Sequence, residues 1–212
     1  MDTMIISPHY DDAVFSCGEF LAQTPGTHVL TVCGGIPADA ELLTEYDKKC
    51  GFFTSQEAMQ YRARENYDAL NTLDGVEGHF DFFDSQYDQM INTEGLKQML
   101  WDQVQQFKQV LAPLGLLHPD HILISDLCLA LRADFEGDFY LYEELPYRVI
   151  DPLQVAPRLD KLREARLSTP AKKNHNNSLG PKEAAISSYV SQVGTGDINI
   201  HNLLVPERYW RV

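Results

Sequence analysis

Apolar residues in this chain fall into short runs separated by stretches with helical spacing, and that alternation predicts most of its elements. Thr3–Ser7 contains Met4-Ile5-Ile6 and reads as a first buried strand. Asp12–Gln23 comes next as a helix with Val14 and Leu21 on its inner face. Pro25-Gly26 ends it, and residues 28–33 form a second apolar, β-branched run. Residues 34–54 show little periodicity and hold Gly34, Gly35, Pro37 and Gly51. A loop that long inside a compact domain is usually a lid or a binding loop rather than a plain connection. Residues 55–73 read as a helix capped by Ser55, with Met59, Ala63, Tyr67 and Leu70 at helical spacing.

Residues 80–83 predict a third strand ending at Asp84, and residues 95–111 a further helix. Residues 113–117 make a short apolar approach to His118. A helix over 121–132, a strand over 139–143 and a late helix over 181–193 complete the pattern. Strands alternating with helices predict a three-layer α/β fold with a mainly parallel sheet. Ligand sites in such sheets lie beyond the carboxyl ends of the strands. His9, Asp84 and His118 each come after an expected strand, so all three converge there.

The 212 residues suit a single domain spanning 1–212. Against 31 acidic side chains stand 17 basic ones, a net charge of -14. A surface that negative repels nucleic acid and anionic lipid, both of which depend on Lys/Arg contacts. No segment has the apolar length of a membrane span, and no basic leader precedes an apolar stretch at the start. Cys17, Cys33, Cys50 and Cys128 form no C-x-x-C pair. Such usage fits reduced thiols in a cytoplasmic protein.

The chemistry concentrates in two places. Ser7-Pro8-His9-Tyr10-Asp11-Asp12 lies at the end of the first strand, and His118-Pro119-Asp120-His121 opens a helix. His9 and Asp12, three residues apart at a strand-to-helix turn, can face one point, and His121 completes a set of three ligands. Catalytic zinc keeps a coordination position open, whereas structural zinc is closed by four protein ligands. A water whose pKa the ion lowers becomes a nucleophile near neutral pH. Asp11, beside a ligand but free to point elsewhere, is the expected general base. His118 is left to stabilise the oxyanion as an imidazolium and to protonate the leaving group. Asp120 is expected to orient one of the ligand histidines. Iron(II) satisfies the same donor set as Zn2+.

The segment from Ser7 to Gly18 resembles the first motif of the LmbE-like/PIG-L deacetylase family, and His118-Pro119-Asp120-His121 its second. These zinc enzymes remove acyl groups, typically acetyl, from N-acetylglucosamine-type sugars. The resemblance implies a Rossmann-like fold and matches His9, Asp12 and His121 to the metal ligands, Asp11 to the base and His118 to the tetrahedral intermediate. Arg62-Ala63-Arg64-Glu65 is similar to the family's R-x-x-E helix, Lys182 to Ile186 to its late helix, and Glu207-Arg208-Tyr209-Trp210 to its C-terminal signature. Tyr10 and Glu19 depart from the pattern, where proline and glycine are usual.

For the rest of the substrate the expected contacts are Arg62 and Asp84, with Glu143 as a weaker case. Arg62 pairing with Glu65 on its own helix is the plainer alternative, and Glu143-Glu144 otherwise reads as a solvated strand end. Tyr46, Phe52, Phe53 and Tyr61 are expected to stack on a sugar or to hold the loop down. His28, His79, His175 and His201 lack ligand spacing and read as surface or core residues. The expected function is zinc-dependent deacetylation of a small-molecule N-acylated amino sugar, with no nucleic-acid or membrane partner. Nothing in the sequence opposes a homo-oligomer. An amidase or esterase on a non-sugar metabolite keeps the metal and changes the bond cleaved. A metal- or carbohydrate-binding protein without turnover has no use for both Asp11 and His118.

Overall fold

A computed structural model of the chain describes residues 2–39, 41–87, 91–162, 166–168, 179–193 and 198–212, with the backbone alone at 166–168 and 179. The strands are β1 (Thr3–Ser7), β2 (His28–Thr31), β3 (Val76–His79), β4 (Gln109–Pro113), β5 (Asp138–Tyr142), β6 (Arg166–Ser168) and β7 (Tyr209–Arg211). They form one sheet in the order β3-β2-β1-β4-β5-β7-β6. The first five are mutually parallel, and β7 runs antiparallel to both β5 and β6.

The helices are α1 (Asp12–Gln23), α2 (Glu45–Lys49), α3 (Ser55–Thr72), α4 (Thr93–Val104), α5 (Pro119–Arg132), α6 (Leu145–Ile150), α7 (Val155–Asp160), α8 (Leu179–Ile186), α9 (Val190–Val193) and α10 (Ile200–Leu203). Successive strand residues enter opposite layers. Met4, Ile6, Val110 and Leu141 pack with Leu100 and Ile124 of α4 and α5. Ile5, Val29, Leu111 and Tyr140 pack with Val14, Leu70 and Ala185 of α1, α3 and α8. Covering both faces explains why these strands read as unbroken apolar runs. The mainly parallel three-layer α/β fold is therefore as the sequence predicts. Among the described residues no helix is long and apolar enough to cross a membrane.

Five expected segments differ. The third strand is β3, four residues earlier; the 80–83 segment leaves the sheet, with Phe80 and Phe82 half-buried against the core and one isolated bridge from Asp81 to Cys33. The helix expected over 95–111 ends at Val104, and the buried run Val110-Leu111-Ala112 is the strand β4. Thr54, not Ser55, caps α3 by accepting from the Glu57 amide at 3.0 Å. Its inner face holds Met59 and Leu70 as expected, but Tyr67 is exposed and Arg62 and Glu65 are buried instead. The late helix breaks into α8 and α9 around buried Tyr189, whose hydroxyl lies 3.1 Å from the Tyr10 carbonyl and 2.9 Å from the Asn66 side-chain oxygen. Residues 34–54 contain the short helix α2.

The late motifs anchor α1. The helix is non-helical at Cys17, and the amides of Glu19 and Phe20 donate to Glu207 at 2.8 and 3.1 Å. The fully buried Lys182 ammonium lies 2.7 Å from the same carboxylate. A Cβ on Gly18 would stand 2.6 Å from the Lys182 side chain, so a larger residue there would force the lysine stem to shift.

The site position is set by strand order. β1 is flanked by β2 on one side and β4 on the other, so the connections after β1 and β4 leave in opposite directions. A crevice opens between them at the carboxyl ends. The two polar motifs form its edges.

Candidate metal centre

Ser7 fixes the first turn: its hydroxyl donates to the His9 carbonyl at 2.6 Å and accepts from the Ala13 amide at 3.0 Å. Asp12 opens α1, and its Oδ2 accepts from the His9 amide at 2.8 Å. On the other edge Pro119 starts α5, which puts His121 in the first turn and His118 at the N-cap, its Nδ1 accepting from the Asp120 amide at 3.3 Å.

Three donor atoms meet between the edges. His9 Nδ1 lies 3.3 Å from Asp12 Oδ2, His121 Nε2 lies 3.1 Å from the same oxygen, and the two nitrogens are 3.3 Å apart. Ligands held at ~2.0–2.2 Å around a tetrahedral zinc stand roughly 3.3–3.6 Å from one another, close to this triangle, so one divalent ion fits it. Ligand atoms of His9, His118 and His121, and of His9, Asp84, His118 and Asp120, also lie within 4.8 Å of one another. The first triangle fits better, because the outer nitrogen of each of its imidazoles already meets a carboxylate. His9 Nε2 is 3.1 Å from Asp120 Oδ2, and His121 Nδ1 is 3.2 Å from Glu144 Oε1. Such contacts fix the tautomer that turns the other nitrogen toward a metal.

The electrostatics agree with a cation site. Burial works against charge on His121, but Asp12 and Glu144 outweigh it and raise its pKa to about 9. Burial likewise opposes charge on His9, yet Asp84, Asp12 and Asp120 push its pKa up. Asp12 is held far below the usual carboxylate range despite its burial, chiefly by His121. All three shifts favour positive charge at the point where a divalent ion would sit.

Asp11 differs. It stands at the N-cap of α1 but makes no capping hydrogen bond. Burial, with the Asp12 charge beside it, raises its pKa to about 7. A carboxyl poised near neutrality can accept a proton at working pH. The His118 pKa is lowered by burial and by the two neighbouring imidazoles. Its Nδ1 accepts a hydrogen bond, so the neutral ring carries its proton on Nε2. This arrangement favours donation from Nε2 of a neutral ring over the expected imidazolium.

A cavity of about 370 Å³ opens here, lined by His9, Asp11 and His118 among others. Arg62 and Asp84 also line it. Arg62 is buried on α3 and pairs with Asp47 of α2 at 2.8 Å, not with Glu65, which accepts from Ser191 instead. Both Asp84 oxygens accept from Gln86, and one lies 3.8 Å from His9 Nε2.

Of the four expected aromatics Tyr46 lines the cavity, whereas Phe52 and Tyr61 pack on each other and Phe53 is exposed. His28 packs on Phe107 and His79 on Tyr10, while His175 lies outside the described residues. Tyr10 is buried and donates to the Gly34 carbonyl at 3.2 Å.

Two further positions at the site escaped the sequence reading. Glu143 and Glu144 are fully buried rather than solvated. Glu143 is held by Arg148 and Trp210, away from any substrate role. Glu144 Oε1 accepts from the amides of Gly115 and Leu116 at 2.8 and 3.1 Å as well as meeting His121. Gly115 takes a φ of +90°, which favours glycine. The second position is Tyr147, whose ring packs edge-on against His121 at 4.9 Å and is stacked with His118 at 6.2 Å. Both lie just after β5, so the strand-end rule that singled out His9 would have found them.

No family model matches the chain, and no curated protein matches it in sequence. Solved structures do resemble it. A deacetylase of the teicoplanin biosynthetic pathway aligns over 100% of this chain and 97% of its own, with 23% identity and a TM-score of 0.81. A zinc-inhibited form of a teicoplanin deacetylase aligns over the same shares, with 22% identity and a TM-score of 0.77. The 4-carboxy-2-hydroxymuconate hydratase of Pseudomonas putida covers 96% of this chain and 83% of its own, at 19% identity and a TM-score of 0.63. The N,N'-diacetylchitobiose deacetylase of Pyrococcus horikoshii covers 90% and 70%, at 16% identity and a TM-score of 0.53. At these identities the likeness is one of fold.

Proposed function

We propose that the protein is a metal-dependent deacetylase of the LmbE-like/PIG-L type, acting on an N-acylated amino sugar or its conjugate. The observation that carries this reading is the triangle of His9 Nδ1, Asp12 Oδ2 and His121 Nε2, with Asp11 and His118 lining the same cavity. His9, Asp12 and His121 would hold Zn2+ or Fe2+. When bound, the ion acts as a Lewis acid that makes water more acidic and an amide carbonyl more electrophilic.

The chain supplies the remainder. Asp11 takes the proton of the attacking water, and its near-neutral pKa suits that task. The Nε2–H of neutral His118 donates to the oxygen on which negative charge develops. The proton taken by Asp11 can then pass to the departing amine, so that acetate and a free amino group result. Asp120 and Glu144 hold His9 and His121 in register. Arg62 and Asp84 offer a donor and an acceptor for sugar hydroxyls. The teicoplanin and diacetylchitobiose deacetylases among the structural neighbours favour this class.

The hydratase neighbour shows why fold alone does not choose the reaction. The test is free-amine release from a panel of N-acetylglucosamine derivatives and N-acyl amino acids by metal-reconstituted protein. Release from the sugars alone supports the assignment, and release from the amino acids alone moves it to a non-sugar amidase.

A further inference from the structure

The cavity is uneven in chemistry. Arg62 of α3 and the segment with Asp84 and Gln86 bring polar groups to it, beside Met59 and Tyr46. The short helix α6 lines it with Pro146, Tyr147 and Ile150. Tyr147 and Ile150 are three residues apart on that helix and share a face. Tyr147 touches the His121 ring, so this wall starts at the candidate metal ligands and runs outward for about one helical turn. At its outer end Ile150 is 68% exposed. An amino sugar carrying only an acetyl group presents little apolar surface to cover it. The start of α6 is held firmly, since Glu144 at its N-cap is buried against the 115–116 amides and Arg148 pairs with Glu143 at 2.9 Å.

We propose that Tyr147 and Ile150 form an apolar subsite for an alkyl or aryl group attached to the substrate close to the scissile amide. This rests on the deacetylase reading and narrows its substrate class. The group belongs either to an acyl chain longer than acetyl or to an apolar aglycone. Either source buries the same wall.

Three ligands separate the sources: the methyl glycoside of N-acetylglucosamine, its hexyl glycoside, and the methyl glycoside of N-hexanoylglucosamine. Calorimetry on metal-loaded Asp11→Asn protein reads affinity without turnover. Burying roughly two methylenes corresponds to about tenfold in affinity, so at least one six-carbon ligand is expected to bind about tenfold tighter than the methyl parent. Adding Ile150→Asp is expected to cut that advantage to about threefold or less. Adding Leu153→Asp, also exposed but outside the cavity lining, is expected to keep it.

An advantage under about fivefold for both six-carbon ligands, or one that survives Ile150→Asp undiminished, overturns the subsite. Amine release, measured in parallel with Asp11 intact, reports on the reaction alone. If release is absent while the affinity difference holds, the subsite stands and the deacetylase reading falls.

Discussion

Glu144 Oε1 lies 3.2 Å from His121 Nδ1, and both side chains are wholly buried. The same oxygen accepts from the amides of Gly115 and Leu116, so one carboxylate ties a candidate metal ligand to the loop that leads into His118. Glu144→Gln keeps the shape but weakens the charge-assisted contact. A loss of about 10- to 100-fold in metal affinity is expected, with a shifted cobalt(II) absorption spectrum in the substituted protein. Glu144→Ala leaves two buried amides unpaired, each costing roughly 1–3 kcal/mol, so its melting temperature falls as well. Unchanged metal affinity in Glu144→Gln would remove the positioning role.

Asp11→Asn preserves volume and removes the proton acceptor. Turnover is expected to drop by roughly 10²- to 10⁴-fold with metal content unchanged. Elemental analysis beside an amine-release assay separates that outcome from simple loss of the ion.

His121→Ala should act on the other quantity. It deletes one corner of the donor triangle, and metal stoichiometry is expected to fall well below that of the wild-type protein. Full occupancy in this variant would reassign the site to His9, Asp84, His118 and Asp120.

Metal binding should release protons. The His121 pKa is raised to about 9, against its burial, by Asp12 and Glu144, so near pH 7 a proton is expected on His121 in the metal-free protein. A divalent ion bound through His121 Nε2 displaces that proton. Calorimetric titrations in buffers of different ionisation enthalpy should show net release at pH 7, diminishing as the pH rises past about 9. Equal heats in all buffers at pH 7 would mean that His121 was already neutral.

The two polar motifs that meet at the cavity were legible as candidates because each follows a strand and pairs residue types with few structural uses at that spacing. Strand β1 and helix α1 were legible for a similar reason, since Met4-Ile5-Ile6 is short and Pro25-Gly26 punctuates the end of the helix. Helix α4 and strand β4 merged in the sequence because a strand buried on both faces shows no alternation, and Val110-Leu111-Ala112 prolongs a helical apolar pattern. Arg62 was recognised as a residue of interest, but its partner Asp47 comes from α2, within a stretch with no periodicity to read. Glu144 escaped because a carboxylate after a strand is ordinarily solvated. Only the fold brings the 115–116 amides and His121 to it.

The late motifs were visible as similarity without a mechanism, which the Lys182–Glu207 pair now supplies. Glu207→Ala strands a buried ammonium and two amides of α1. Removing one partner of a buried pair costs about 3–5 kcal/mol, so a large fall in melting temperature is expected. An unchanged melting temperature would mean that the latch contributes nothing to stability.

The most direct measurement is amine release from methyl N-acetylglucosaminide by metal-stripped protein titrated with Zn2+ or Fe2+. Activity is expected to be absent at the start, to rise to a maximum near one equivalent, and to vanish in Asp11→Asn with the ion still bound. Release without metal, or equal release by Asp11→Asn, would contradict the assignment of His9, Asp12 and His121 as the catalytic metal site with Asp11 as its base.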